Sequence, residues 1–325
     1  MSRERTGNKM TFQKPLEFHN PRTPTYKKGY LVIDSDDGNE GDYKYWFRLM
    51  QTLDGEYNQW VGINSVVMCP AVVSSLLNTP GKLSTEQLKE MVSWGCEVLS
   101  HGRYHTGLGT LSVSSPATKG ATAIEVYGSG QIRVEAGYVY EISEGEVRET
   151  IKFISPQLPN NTYGTTLMNL EAPLQNTYTS NAKIRLTEES MQDLLVGCVD
   201  DLNSLGFDCF HHVYTFHSGS QHTPNPDAVA YVSQVFRSGR GTYDSTSVNE
   251  KDTMQLENLK CVSSAATEVQ IDALLDETAN KDGLMIFYGH GEPSVVEKLE
   301  YLIRGAFERG IRITTRSDAL NRMGV

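Results

Sequence analysis

Four things are scarce in this sequence, and each scarcity excludes something. No stretch of about 18 consecutive apolar residues exists, so no helical membrane span is expected. The N-terminus, MSRERTGNKMTFQKP, carries charges where an export signal needs an apolar core. A cytoplasmic location is the default expectation. Positive charge is in deficit: 29 Lys and Arg against 40 Asp and Glu leave a net −11. A phosphate backbone has no broad basic surface to displace counterions onto, so nucleic acid is not an expected partner. The five cysteines (Cys69, Cys96, Cys198, Cys209, Cys261) are odd in number and form no CxxC pair. They read as small core residues rather than a disulfide framework.

What is present is a strand–helix alternation that points to an α/β protein. Tyr30–Ile33 is a short apolar run ending in the acidic turn Asp34-Ser35-Asp36-Asp37-Gly38. Helical spacing follows at Trp46, Leu49, Met50 and Leu53, then an apolar run from Val61 to Met68 reads as a second strand. Ser84 and Gln87 form a capping box ahead of Leu88, Met91 and Val92, and Gly95 stops that helix before the strand Cys96–Leu99. The alternation resumes at Leu186 with a long helical stripe closed by Gly206, a strand over Phe207–Phe216, and a helix over Asp227–Phe236. A helix capped by Thr267 and Gln270, a strand at Leu284–Tyr288, a helix opened by Ser294 and Glu297, and a strand at Ile311–Thr314 complete it. Repeated β/α units imply a parallel sheet, open or closed into a barrel.

Between 112 and 186 the chain turns rich in Gly, Ser, Thr and Asn, with short alternating runs at Ile124–Val126, Ile132–Val134, Tyr138–Ile142 and Ile151–Ile154. Such a length is too great for a loop, so a small all-β subdomain is expected, inserted into a host made of 29–111 and 187–325 behind a leader of 1–28.

Side chains at the C-terminal ends of parallel strands converge on one rim. Three strands end in reactive groups: Asp36 and Asp37 after the first, His101 and His105 after the third, and His290 after Leu284–Tyr288. Histidines at i and i+4 with a carboxylate from a neighbouring strand make a three-ligand metal site that leaves room for water. His211, His212, His217 and His222 are irregularly spaced and read as structural or pocket-lining residues.

These motifs resemble those of the NodB-homology polysaccharide deacetylases, carbohydrate esterase family 4. Asp34–Gly38 is similar to that family's TFDDG motif, and Glu97–His105 to its H-[ST]-x-x-H motif. Tyr288-Gly289-His290 occupies the place of its late L-x-H motif, and 297–320 looks like its closing helix and strand. The resemblance covers 30–105 and 186–320 and implies a distorted (β/α) barrel. It further implies a divalent metal, zinc first and nickel, cobalt or manganese as substitutes, on Asp37, His101 and His105. Asp36 would be the base, His290 the acid, and a backbone N–H at Ser218 an oxyanion donor. The substrate implied is an acetylated bacterial surface or cell-wall polysaccharide.

The third motif departs from the pattern, since Tyr214–Gly219 (YTFHSG) lacks the arginine and proline that orient the family's aspartate, and Tyr243-Asp244 is a loose match to the fourth. That departure admits an inactive glycan-binding or structural component on the same fold. The stretches 117–126 and 169–178 look like small β-modules of bacteriophage tail proteins, which implies a virion location with tail proteins or further copies of this chain as partners. A non-haem iron oxygenase could also use two histidines and a carboxylate, but Asp36 and His290 suit hydrolysis better.

Overall fold

The computed structural model describes residues 29–61, 66–128, 137–154, 164–216 and 226–325. The first strand, β1 (Tyr30–Ser35), is buried along nearly its whole length, as its unbroken apolar run requires of a parallel strand covered on both faces. A π-helical turn over Asp42–Phe47 runs directly into α1 (Arg48–Val61). Then come β2 (Cys69–Val72), α2 (Thr85–Trp94) and β3 (Leu99–Ser100).

Six strands follow before the next helix: β4 (Leu111–Val113), β5 (Ala123–Gly128), β6 (Val139–Glu144), β7 (Val147–Lys152), β8 (Gly164–Asn169) and β9 (Lys183–Leu186). Together they form one antiparallel sheet in the order β7-β6-β9-β4-β5-β8. The host chain continues through α3 (Glu188–Ser204), β10 (His211–Val213), α4 (Pro226–Val235), β11 (Ser238–Asp244), β12 (Leu259–Ser263), α5 (Glu268–Lys281) and β13 (Leu284–Gly289). It ends in α6 (Val296–Glu308), β14 (Arg312–Ile313) and α7 (Arg316–Met323).

Seven parallel strands close on themselves in the order β1-β2-β3-β10-β11-β12-β13, because β13 pairs back with β1 from Tyr30↔Leu284 to Ser35↔Gly289. The other edge of β1 is split. Its start pairs with β14 at Tyr30 and Leu31, and its end with β2 at Asp34 and Ser35. That split distorts the barrel. The expected fold, an α/β distorted (β/α) barrel carrying a small all-β sheet, is the fold observed.

The two-residue period of a strand sorts the side chains. Leu31 and Ile33 of β1 and Met285 and Phe287 of β13 face the helices, in one cluster with Trp46, Leu299 and Ile303. Val32, Leu284 and Ile286 face inward with Ala71, Leu99, Val213 and Leu259, and α7 closes the barrel's lower end with Ala319, Leu320 and Met323. Each such fully buried aliphatic side chain contributes about 1.5–3 kcal/mol. Continuing inward from Val32 by the same period leads to Asp34 and Asp36, both buried.

Several local expectations change. The Val61–Met68 strand is displaced: α1 runs to Val61, and the ladder begins at Cys69. The Cys96–Leu99 and Phe207–Phe216 strands shrink to Leu99–Ser100 and His211–Val213, since only those residues pair with neighbours. The capping boxes at Ser84 and Thr267 form. The one at Ser294 does not: Pro293–Val295 is a 3-10 turn, and α6 starts at Val296 without a side-chain cap. β11, β12 and α7 had no counterpart in the pattern. All five cysteines are buried, and none is joined to another in a disulfide. Among the described residues no helix is long and apolar enough to cross a membrane.

Candidate metal centre and active site

Parallel strands bring their C-terminal ends to one rim, and Asp36, Asp37, His101, His105 and His290 lie there. Asp36 and Asp37 leave β1 through a backbone that only a tight turn permits, with Asp37 at φ 74° and Gly38 at φ 58°. A left-handed aspartate is uncommon and worth about 1–2 kcal/mol of strain. It is held by Lys82 Nζ, which donates to the Asp37 carbonyl at 3.1 Å, and by Asn39 Nδ2, which donates to the carbonyls of Asp36 (3.3 Å) and His290 (3.1 Å). The turn thereby aims the Asp37 carboxylate at the loop after β3.

In that loop, His101 Nε2 lies 3.3 Å and His105 Nε2 3.0 Å from Asp37 Oδ1. His101 Nδ1 is 2.9 Å from the Val213 carbonyl. A carbonyl can only accept, so Nδ1 donates to it and Nε2 is the nitrogen turned towards Asp37. Burial holds His105 below the ordinary imidazole range, outweighing the pull of Asp37. Burial works to raise Asp37, but contacts with His101 and His105 prevail and hold it well below the usual carboxylate range. One nitrogen from each histidine and a carboxylate oxygen of Asp37, all within 4.8 Å of one another, thus converge. A cation satisfies that arrangement, and imidazole with carboxylate suits zinc and its first-row neighbours.

Asp36 points elsewhere. It is buried, accepts a short hydrogen bond from Arg240 Nη2, and has no hydrogen-bond partner for its Oδ2 among the described residues. Arg240 Nε also donates to Asp34 Oδ2 at 2.9 Å, and Arg316 Nη2 makes a short bond to the same oxygen. Arg316 Nη1 reaches the His212 carbonyl at 3.1 Å, and the Arg240 guanidinium lies 4.6 Å over the Tyr288 ring. Two carboxylates and two guanidiniums, all at most 1% exposed, therefore neutralise one another beneath the rim. The arginine that bonds Asp36 stands on β11, not in 214–219.

His290 follows β13 at the same rim, beside Asp36, whose N–H donates to the Gly289 carbonyl at 2.8 Å. Its Nδ1 is 3.4 Å from Glu292 Oε1, and its own N–H donates to Glu292 Oε2 at 2.9 Å. The contact with Glu292, aided by the charges of Asp36 and Asp37, raises the His290 imidazole to about 9 against the opposing effect of burial. His290 therefore keeps its proton through neutral pH and loses it only on the alkaline side. Glu292→Gln is expected to bring its titration back towards the ordinary histidine range, read from the imidazole proton shifts of metal-free protein. An unmoved titration would remove Glu292 from this role. Asp244, the loose fourth-motif candidate, accepts instead from the Ser263 N–H at 2.6 Å.

A third carboxyl lies below. Asp42 is fully buried, accepts from Ser35 Oγ at 2.5 Å, and packs so tightly on Gly291 that a Cβ there would lie 2.2 Å from its Oδ1. Burial, with the nearby charges of Asp36 and Asp37 and against the Ser35 hydrogen bond, raises its pKa from 3.8 to about 8. A carboxyl raised on folding gives its full stabilisation below its unfolded value and loses it as pH climbs through the folded one. Asp42→Asn should therefore gain stability relative to wild type between pH 4 and pH 8, measured by urea unfolding of metal-free protein at each pH. A constant difference would show that Asp42 is already ionised.

His211 is tied to Ser238 Oγ (2.8 Å) and Ser317 Oγ (2.9 Å), and His212 packs edge-on to Tyr214, so both are structural as expected. Ser218, His217 and His222 lie outside the described residues. Arg240, Arg316, Glu292 and Asp42 were missed in the sequence. The available signals were charges held between glycines: R-S-G-R-G at 237–241 and G-H-G-E at 289–292.

No family model matches the sequence, and no curated protein matches it. Solved structures of polysaccharide deacetylases are similar to the chain. One from Bacillus cereus is 14% identical at a TM-score of 0.38, over 71% of this chain and 46% of its own. The catalytic domain of a peptidoglycan N-acetylglucosamine deacetylase from Eubacterium rectale is 12% identical at 0.42, over 92% and 94%. A CE4 family pseudoenzyme from Bacillus anthracis is 9% identical at 0.45, over 91% and 66%. The chain thus spans under half the length of the first of these, at 46%. Likenesses this distant carry no weight on activity.

Proposed function

We propose that this protein is a metal-dependent deacetylase acting on a polysaccharide, on the strength of one observation: two histidine nitrogens and a carboxylate oxygen converging beside a separately held, buried carboxylate. A divalent ion on Asp37, His101 and His105 supplies Lewis acidity towards an acyl oxygen and lowers the pKa of water, which amide and ester hydrolysis both require. The residues of the chain divide the remaining work. Asp36, fixed by Arg240 through Oδ1, accepts the proton of the attacking water on Oδ2. His290, protonated at neutral pH, donates to the leaving amine or alkoxide and is oriented by Glu292. The acetyl carbon gains an oxygen from water, and the sugar leaves carrying the proton from His290.

The orientation of Asp36 by Arg240 favours activity over the inactive glycan-binding reading, whose support was the missing arginine. A pair of proton-transfer groups flanking the ligand set favours hydrolysis over iron oxygenase chemistry. The acidic net charge suits a neutral or cationic glycan. A virion location with tail proteins as partners rests on two short stretches of sequence and gains nothing from this geometry.

The test is acetate release from acetylated chitooligosaccharide, peptidoglycan and bacterial capsule by zinc-loaded protein, beside Asp36→Ala and His101→Ala. Release by wild type and its loss in both variants is the expected result. Retention of glycan by zinc-loaded wild type without any change in its mass would replace the deacetylase with a binder.

A further inference from the structure

The inserted sheet reaches the arc of chain between the two histidines. Tyr104, which lies between His101 and His105, meets Tyr138 edge-to-face with ring centroids 5.6 Å apart. Tyr138 immediately precedes β6 and is buried. Its hydroxyl donates to Asp193 Oδ2 at 3.1 Å, while Asp193 Oδ1 takes Arg103 Nη1 at 2.6 Å. Arg103 is also clamped by Asp201 through Nε and Nη2, both at 3.1 Å, and lies across Gly197 of α3, where a Cβ would come within 3.2 Å of it. The Arg103 N–H donates to the Leu194 carbonyl at 2.7 Å.

The sheet is fastened to the same helix. The Val139 N–H donates to Ser190 Oγ at 2.9 Å, and the Thr187 N–H to the Val139 carbonyl at 3.1 Å. Ile142, Ile184 and Phe153 share one apolar cluster with Met191, Leu194 and Leu195 of α3. The metal loop therefore leans on α3 from one side and the inserted sheet from the other, with Tyr138 touching both.

Resting on the metal-site reading above, we propose that Tyr138 is a positioning residue, through which the inserted sheet fixes the Tyr104 and Arg103 arc and sets the affinity of His101 and His105 for a divalent metal. Groups that orient ligands from behind typically change metal affinity about 10–100-fold. The test uses the full metal-free chain titrated with Co2+, followed by calorimetry and by the visible absorption of the bound ion. Tyr138→Ala is expected to weaken binding about tenfold or more and to shift the absorption bands. Tyr138→Phe, which keeps the ring contact and loses only the bond to Asp193, should fall between it and wild type. Tyr127→Ala, exposed on the same sheet, should match wild type. Circular dichroism melting of each metal-free variant separates ligand misplacement from unfolding, and if Tyr138→Ala does not fold, Tyr138→Phe decides. Tyr138 variants that bind Co2+ with wild-type affinity and spectrum would overturn this inference alone. A wild-type chain that takes up no Co2+ would remove the metal reading and this inference together.

Discussion

Replacing Arg240 with methionine is expected to cost about 3–5 kcal/mol of stability and to abolish hydrolysis. The side chain is fully buried and spans Asp34 and Asp36, so its loss strips Asp36 of the donor that holds it. Asp34 retains Arg316. Asp36 is left buried, its other oxygen already without a partner among the described residues. Burying a carboxylate without a partner costs more than a surface ion pair ever contributes, which is why the effect is large despite the modest worth of most salt bridges. Lysine should not rescue it, because one ammonium cannot reproduce the fork that bonds two carboxylates in fixed directions. Urea unfolding of metal-free protein measures the stability term. A change under about 1 kcal/mol would mean that Asp36 is protonated or solvated, and that Arg240 does not hold it.

Asp36→Asn is expected to separate the two aspartates. Asparagine keeps the shape and can still accept from Arg240, but it cannot take a proton from water. Acetate release should fall about 10²–10⁴-fold, the range a positioned general base supplies, while metal stoichiometry stays at the wild-type level. Equal activity would take the proton-acceptor role away from Asp36. Loss of metal together with activity would mean that the two carboxylates are not divided as their orientations indicate, with Asp37 towards the histidines and Asp36 towards Arg240.

The parts of the fold legible in the sequence are those where one physical rule dominates. β1 and β13 are unbroken apolar runs because both faces are covered, and they were found for that reason. Capping boxes at Ser84 and Thr267 were legible because hydrogen bonding at a helix start is local. β11 was illegible because its residues, SGRGTYD, have no apolar period: Arg240 is buried through ionic partners that arrive from β1, some two hundred residues away in sequence. β12 is short and mixed, LKCVS, and α7 has few apolar residues and closes the barrel with only three of them.

The same distinction separates the site residues. Asp36, Asp37, His101, His105 and His290 follow strands and carry recognisable spacing, so their meeting at one rim could be expected from topology. Glu292 and Asp42 act through geometry that spacing does not encode. Glu292 turns back on His290, and Asp42 is brought under Gly291 by a π-helical turn. Arg240 stands on β11, a strand that the sequence pattern did not show, and only the strand order brings it to Asp36.

The claim on which the rest depends is that Asp37, His101 and His105 hold a divalent ion. Calorimetric titration of metal-free protein with Zn2+, in parallel with Asp37→Ala and His101→Ala, tests it most directly. The account predicts one ion per chain for wild type and none at that affinity for either variant. Failure of wild type to bind Zn2+, Co2+, Ni2+ or Mn2+, or undiminished binding by both variants, would contradict it.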